Sequence, residues 1–298
     1  MILVAGATGY TGRHLTRALL AQGHSVRCLV RPSSRTDGLE DMGAVRVPGD
    51  LDRPEGLARS LEGVELLVSA AQIRYAPALV QACRHAGVRR AVLMSSTRRF
   101  SRFRTPDVEA VEAGEASVAD SGLAATIIRP SMIYGPGNDR NISFMRDYLR
   151  RHRMVPVFGG GNRLVQPVYV DDVVDAVVSA SQRDETSGRA YDVAGRDAMP
   201  YRAMVDTLCR LVGRRVLRVP VPICVALPVM RGCGVISHSA RVAADQIQRM
   251  GEDRAYDVSQ AMRDLDFAPR RFEAGVREAM QQNGEEIHGT GPRGQAYT

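Results

Sequence analysis

Three glycines spaced three apart, Gly6, Gly9 and Gly12, stand between an apolar run at 2–5 and an amphipathic stretch at about 11–22. In a strand–turn–helix frame, such glycines make a tight turn, let backbone approach a phosphate and allow close packing of helix on strand. The N–H groups at the start of the helix then favour an anion. The loop Gly6-Ala7-Thr8-Gly9-Tyr10-Thr11-Gly12 is therefore expected to hold the pyrophosphate of a dinucleotide. The residues after the second strand choose which one. A site for NAD(H) usually presents Asp or Glu there to the ribose 2′-hydroxyl; this sequence reads Arg31-Pro32-Ser33-Ser34-Arg35. A guanidinium beside hydroxyls suits a 2′-phosphate through charge-assisted bonds. NADP(H) is thus expected over NAD(H), with Arg31 and Ser34 as contacts and Arg13 as a second arginine. Asp50 and Leu51 follow the third strand, where adenine is held, and Ala70 and Ala71 close the fourth, where small residues admit the ribose.

Residues able to act on a substrate gather at later strand ends, where ligands of open α/β sheets bind. Ser95, Ser96 and Thr97 end the fifth strand. Their hydroxyls either hydrogen-bond a substrate carbonyl or are satisfied within the fold. Arg98 and Arg99 come next, as ligands of an anionic group or oxyanion, or as a solvated basic loop. Tyr134 follows the sixth strand; a phenol with no lysine beside it is a better donor than base. Arg129-Pro130 precedes it, with Pro130 expected to line the nicotinamide pocket. Asp107 and Glu112, and likewise Asp171 and Asp172, are read first as charges on helix starts. His238 stands alone. No His/Cys/Asp cluster has metal-ligand spacing, and no Gly-x-Ser-x-Gly elbow is present.

The elements that must position these residues alternate. Strands are expected at 2–5, 25–30, 44–47, 65–70, 90–95 and 124–128, and helices at about 11–22, 54–62, 75–87 and 107–121. The uninterrupted apolar run Ala91–Met94 suits a parallel strand covered on both faces. The class is α/β, a doubly wound parallel sheet with right-handed crossovers and a small C-terminal α/β lobe. The expected division is a nucleotide-binding domain over 1–165 with strands added from about 166–195, a substrate lobe over 196–283, and a flexible tail over 284–298. The apolar, Pro-punctuated stretch 219–236 belongs to that lobe.

With 298 residues, 44% of them hydrophobic, the chain can bury a sizeable core. Its net charge is +7, and every one of its 40 basic residues is arginine, so no lysine amine is available to any reaction. The charge is spread along the chain without a zinc-finger or RNA-binding signature, which argues against nucleic acid and favours small acidic molecules. Five widely spaced cysteines without a Cys-x-x-Cys pair suggest free thiols in a reducing compartment. The chain enters a strand at Met1-Ile2-Leu3-Val4, leaving no room for a signal peptide, and its longest apolar run is too short to span a bilayer. A cytoplasmic protein acting on a small molecule, alone, as a homo-oligomer or in a complex, is expected.

The glycine spacing, Gly49-Asp50-Leu51, Ser95-Ser96-Thr97, Ser121-Gly122-Leu123, Thr126 to Gly137 and Gln166-Pro167-Val168-Tyr169-Val170-Asp171-Asp172-Val173 resemble the extended and atypical short-chain dehydrogenases/reductases. Similarity is greatest to the atypical branch, with the complex I accessory subunit and NmrA-like proteins, and covers about residues 1–215. The resemblance implies a Rossmann domain and a nicotinamide cofactor. The family's catalytic Tyr-x-x-x-Lys is missing: Asp107 and Val111 stand at about those two positions. Three readings follow. The first is an NADP(H)-dependent oxidoreductase of a small organic substrate, working without that pair. The second is a non-catalytic NADP(H)-binding accessory or redox-sensing protein. The third is a nucleotide-sugar epimerase or dehydratase.

Overall fold

The computed structural model describes residues 1–36, 38–234 and 238–288, and side chains for all of these except 230–234 and 238–243. The side chain of His238 and most of the expected tail fall outside that description. In chain order the elements are β1 (Ile2–Ala5), α1 (Tyr10–Ala21), β2 (Val26–Val30), β3 (Val45–Pro48), α2 (Leu57–Ser60), β4 (Leu66–Ser69), α3 (Ala76–Ala86), β5 (Arg90–Met94), α4 (Pro106–Ala119) and β6 (Ala124–Pro130). Then come β7 (Ile133–Tyr134), α5 (Ile142–Arg151), β8 (Met154–Phe158), β9 (Leu164–Val165), β10 (Val168–Tyr169), α6 (Val170–Gln182) and β11 (Ala190–Val193). The last are β12 (Met199–Pro200), α7 (Tyr201–Val212), β13 (Leu217–Val221), α8 (Ile223–Gly234), α9 (His238–Arg249), α10 (Ser259–Asp264) and α11 (Phe272–Gln282).

The chain forms two compact units with boundaries unlike those expected. The first is Met1–Ile133, Val168–Gly195 and Tyr256–Pro269; the second is Tyr134–Pro167, Arg196–Ala255 and Arg270–Thr298. Residues 134–165 therefore leave the nucleotide-binding body. Periodicity marks helices and strands, but it carries no signal for which body a segment joins.

The first unit is a Rossmann sheet of seven parallel strands in the order β11-β6-β5-β4-β1-β2-β3. The order reverses between β1 and β4, so the loops after those strands flank the crevice where such sheets bind ligands. One face buries Val4, Val68, Val92 and Ile128 with α1 and the valine-rich α6; the other buries Leu3, Leu67, Ala91 and Leu93 with α3. Strands covered on both faces are apolar throughout, as Ala91–Met94 shows. Asp171 and Asp172 charge the first turn of α6, but the cap position is Tyr169.

The second unit contains a parallel ribbon, β8 with β13, and an antiparallel bridge, β9 with β12. Its α7 buries Met204, Val205, Leu208 and Leu211 on one stripe. The described part of the expected tail is tied down. Glu285 accepts ion pairs from Arg146 and Arg150, and the His288 amide donates to the Leu211 carbonyl at 2.9 Å.

Candidate functional site

The glycine loop is built as a cradle that side chains would fill. Gly6 has φ +78°, and a Cβ there would lie 2.7 Å from the Ala71 amide nitrogen. A Cβ on Gly12 would lie 2.0 Å from the Gly6 carbonyl oxygen. The first glycine is thus required by backbone conformation and the third by the approach of α1 to the loop. Ala70 and Ala71 gain a further reason for being small: the β4 loop packs directly on Gly6. Gly9 precedes α1, whose 12 residues direct first-turn N–H groups and the positive end of a dipole toward the crevice. Thr8, Tyr10 and Thr11 are half-buried on this turn.

Arg13 ties the loop to the segment after β2. Its Nε donates to the Thr8 carbonyl at 3.3 Å and its Nη2 to the Arg35 carbonyl at 3.0 Å. Arg31 and Ser34 share a turn, the Ser34 amide donating to the Arg31 carbonyl at 3.0 Å. The Arg31 guanidinium is 55% exposed and 3.9 Å from Asp52, itself 57% exposed. An exposed pair of this kind holds the arginine by less than about 1 kcal/mol. Asp52 also accepts from the Tyr75 hydroxyl at 2.9 Å. Asp50 accepts from the Asp52 amide at 3.1 Å, and Leu51 packs on the core of that sheet face. The residues present fit a dinucleotide with a pyrophosphate.

At the carboxyl ends of β5, β6 and β11 the structure assembles a buried charge cluster centred on Glu115, a residue sequence reasoning did not single out. Glu115 is only 5% exposed. It accepts from the Ser95 hydroxyl at 2.5 Å and from Arg129 through Nε at 2.9 Å and Nη2 at 2.7 Å, and it pairs with Arg99. Arg129 also faces Asp192 at 3.5 Å. Two guanidiniums and two carboxylates balance, which is the condition for burying them at all. Burial pushes Asp192 above the usual carboxylate range against the opposing pull of Arg129. Burial also lowers the Arg129 and Arg99 guanidiniums, with Arg129 lowering Arg99 further. The Arg99 and Arg129 guanidiniums also lie 5.7 and 5.6 Å from the Phe100 ring centroid.

Local sequence sets this geometry. Thr105 caps α4, accepting from the Val108 amide at 3.4 Å, with Pro106 at the first helical position and Asp107 on the first turn. Gly114 admits the turn at Ile73, whose carbonyl oxygen would lie 2.4 Å from a Cβ. That close approach presses the next residue, Glu115, into the interior. A sequence signal existed: Glu115 lies in the helical stripe Val108, Val111, Val118, where a lone acid needs a buried partner.

Several expected substrate contacts are committed elsewhere. Arg98 pairs with Asp107 and Arg99 with Glu115, so neither is a bare loop cation. The Ser95 hydroxyl serves Glu115, and the buried Thr97 hydroxyl donates to the Pro130 carbonyl at 3.4 Å. Ser96 differs: its oxygen accepts from the Arg98 amide at 3.2 Å, while its own O–H has no acceptor among the described residues. Tyr134 lies in the interior of the second unit, 1% exposed, donating to the Phe272 carbonyl at 3.2 Å with its ring edge-on to Phe272. Burial of a bulky aromatic in that core, rather than exposure at a strand end, governs its place. No group of three metal-binding side chains occurs among the described residues. No described helix is long and apolar enough to cross a membrane.

A sheet with its crevice between β1 and β4, and a glycine cradle at that crevice, defines a Rossmann dinucleotide-binding protein. Residues 6–155 match the NAD(P)H-binding family, and residues 108–215 match the 3-beta hydroxysteroid dehydrogenase/isomerase family. The chain belongs to the NAD(P)H-binding family, within the atypical short-chain dehydrogenases/reductases, and its cofactor is a nicotinamide dinucleotide. It is 25% identical to photosystem II assembly factor Ycf39 of Synechocystis sp. (strain ATCC 27184 / PCC 6803 / Kazusa), over 74% of this chain and 71% of that protein. It is 27% identical to the ceramide reductase of Caulobacter vibrioides, over 74% of each. The crystal structure of gox2253 shares the fold with a TM-score of 0.77 at 20% identity, covering 96% of this chain and 99% of that one.

Proposed function

We propose that this chain is an NADP(H)-dependent reductase of a small organic carbonyl or alkene that works without a tyrosine–lysine pair. The observation that carries the reading is Ser96, the one strand-end hydroxyl among Ser95, Ser96 and Thr97 whose proton is not used within the described fold. A bound nicotinamide supplies the hydride. The protein's task is to orient the acceptor, polarise it and let a proton reach the developing oxyanion. Ser96 donates to that oxygen. The proton it gives up is restored from water, because a serine has no pKa near neutrality to store it. Arg99 and Arg129, charge-balanced by Glu115 and Asp192, add no net charge but fix the dipoles beside the strand end without reorganising. Ser95, locked on Glu115, positions the carboxylate and has no part in proton transfer.

Support for NADP(H) comes from Arg31 on an exposed turn, steadied only by a weak pair with Asp52, and from Arg13 anchoring that turn to the glycine loop. The ceramide reductase relative favours catalysis. The assembly-factor relative, together with the internal commitment of Ser95, Arg98 and Arg99, favours the second reading, an NADP(H)-binding accessory protein. The test is NADPH oxidation over a panel of ketones and enones, with Ser96→Ala beside the wild type. Turnover that falls about 10²-fold in Ser96→Ala with NADPH affinity unchanged supports the reductase. NADPH that binds but is never oxidised across the panel overturns it.

A further inference from the structure

The ribbon β8–β13 of the second unit carries an apolar face that is open at one end, at Met154 and Leu217. Its register pairs Leu217 with Met154, Val219 with Pro156 and Val221 with Phe158, so these six side chains project from one face. The opposite face of β8 buries Val155 and Val157 at 1% and 4% exposure. On the open face Met154 is 53% and Leu217 63% exposed. Alternation normally puts polar residues on a solvent face; β8 does the reverse, while β13 sets exposed Arg218 and Pro220 on its other face and leaves Val219 and Val221 half-buried.

The end of the ribbon bearing Met154 and Leu217 is also its charged end. The Leu217 amide donates to the Arg153 carbonyl at 2.8 Å, which sets the two lead-in segments side by side. Arg151, Arg153, Arg214 and Arg215 are exposed there, and none makes an ion pair with a described residue. Of the neighbouring acids, Asp147 and Glu285 pair with Arg150 and Asp206 with Arg218, and Glu286 lies 3.7 Å from His288, whose ring abuts Gly213.

We propose that this face is a docking surface for an anionic phospholipid bilayer, with Met154 and Leu217 entering the headgroup–acyl boundary and the four arginines meeting lipid phosphates. Aliphatic residues ringed by cations are what such a boundary accepts. A second copy of the chain would bring the same unpaired guanidiniums against each other, since a two-fold interface joins like patches. A single-stranded nucleic acid would call for exposed rings on which bases stack; the His152 ring at this corner is already stacked on Tyr148, centroids 4.2 Å apart, and Met154 and Leu217 are aliphatic. The proposal is independent of the reductase reading.

The test is flotation of the full chain with vesicles of phosphatidylcholine alone or mixed with phosphatidylserine. Binding is expected only to the mixed vesicles, weakening as salt is raised. Each arginine should contribute about fivefold in partitioning, so the variant Arg151→Gln/Arg153→Gln/Arg214→Gln/Arg215→Gln should lose about 10²-fold or more. Met154→Gln/Leu217→Gln should also lose binding; unchanged circular dichroism controls for folding in both variants. Equal binding to neutral vesicles, or salt-insensitive binding by the wild type, overturns the proposal without any variant. Full binding by the Met154→Gln/Leu217→Gln variant, or equally tight capture of a duplex DNA fragment by the wild type, assigns the corner to polyanions in general and also overturns it.

Discussion

Replacing Glu115 by glutamine removes one charge from the middle of the strand-end cluster and little else, because the two side chains are nearly isosteric. In the native protein the carboxylate accepts a bidentate pair from Arg129, an ion pair from Arg99 and the Ser95 hydroxyl, at 5% exposure. A single guanidinium–carboxylate contact at about 4 Å is worth about 4 kcal/mol at an effective dielectric of about 20. Most of that gross attraction offsets the desolvation of the charges. Taking away one partner leaves the others buried and uncompensated, at about 3–5 kcal/mol. Glutamine keeps one acceptor oxygen but turns an N–H₂ toward a guanidinium that also only donates. A cost near the lower bound, about 3 kcal/mol, is expected, and it corresponds to a fall of about 5 °C in the midpoint of thermal unfolding. In a double-mutant cycle with Arg99→Gln the two losses should fall short of additivity by about 1–3 kcal/mol, since removing Arg99 relieves the repulsion left behind. Thermal and urea unfolding of the two single variants and the double measure both quantities. A Glu115→Gln variant within about 0.5 kcal/mol of the wild type, the range of an ordinary surface substitution, would refute the claim that this carboxylate neutralises a buried cluster.

Other consequences are as direct. Arg31→Ala should weaken NADPH binding about tenfold or more, the value of a charge-assisted bond, and leave NADH binding unchanged; equal affinity of the wild type for the two cofactors in a titration would dismiss the 2′-phosphate role. Gly12→Ala forces a methyl to within 2.0 Å of the Gly6 carbonyl oxygen, so the helix must move off the loop. Calorimetric NADPH binding should be lost together with about 1–3 kcal/mol of stability. Glu273, held by Arg210 and Arg277, has its carboxyl lowered from 4.5 to about 2. A depressed folded value means the stabilisation is complete above pH 4.5 and lost as pH falls toward about 2. With the side chain 36% exposed, solvent screening cuts the effect to about 1 kcal/mol, so Glu273→Gln should flatten acid unfolding in that window and change little at pH 7.

The Rossmann sheet was legible because its signals are local. Gly12 answers to the Gly6 carbonyl six residues away and Gly6 to its own positive φ, and strands such as Ala91–Met94 announce burial on both faces by composition alone. The cofactor loop could be read for the same reason. The charge cluster could not, since Glu115, Arg129 and Asp192 belong to three elements and only the sheet order brings β11 beside β6. Arg98 and Arg99 look alike in sequence, yet their partners, Asp107 and Glu115, lie on the first turn and past the middle of α4 and differ in exposure, 68% against 5%. Tyr134 misleads for a related reason. Its position after a strand suggests a ligand contact, while the partner that buries it, Phe272, is 138 residues away. The unit boundaries were hidden too, because the segment 134–167 has ordinary helix and strand patterns and leaves the first body only through its long-range contacts.

The discontinuity of the first unit also governs how the chain emerges from a ribosome. When β6 is complete, the neighbour that pairs with it, β11, and the helix α6 that covers one sheet face with Val173, Val174 and Val177 have yet to be made. About sixty residues intervene, which at about 5–20 residues per second leaves a parallel edge and an apolar face open for several seconds. The closing latch comes later still: Arg183 donates to the Asp264 carbonyl and Tyr191 to the Asp264 carboxylate, after another seventy or so residues. A fragment cut after the sixth strand would keep the glycine cradle and lose the valines that roof it. The nascent nucleotide-binding body is therefore a natural client for a chaperone until residue 269 is free.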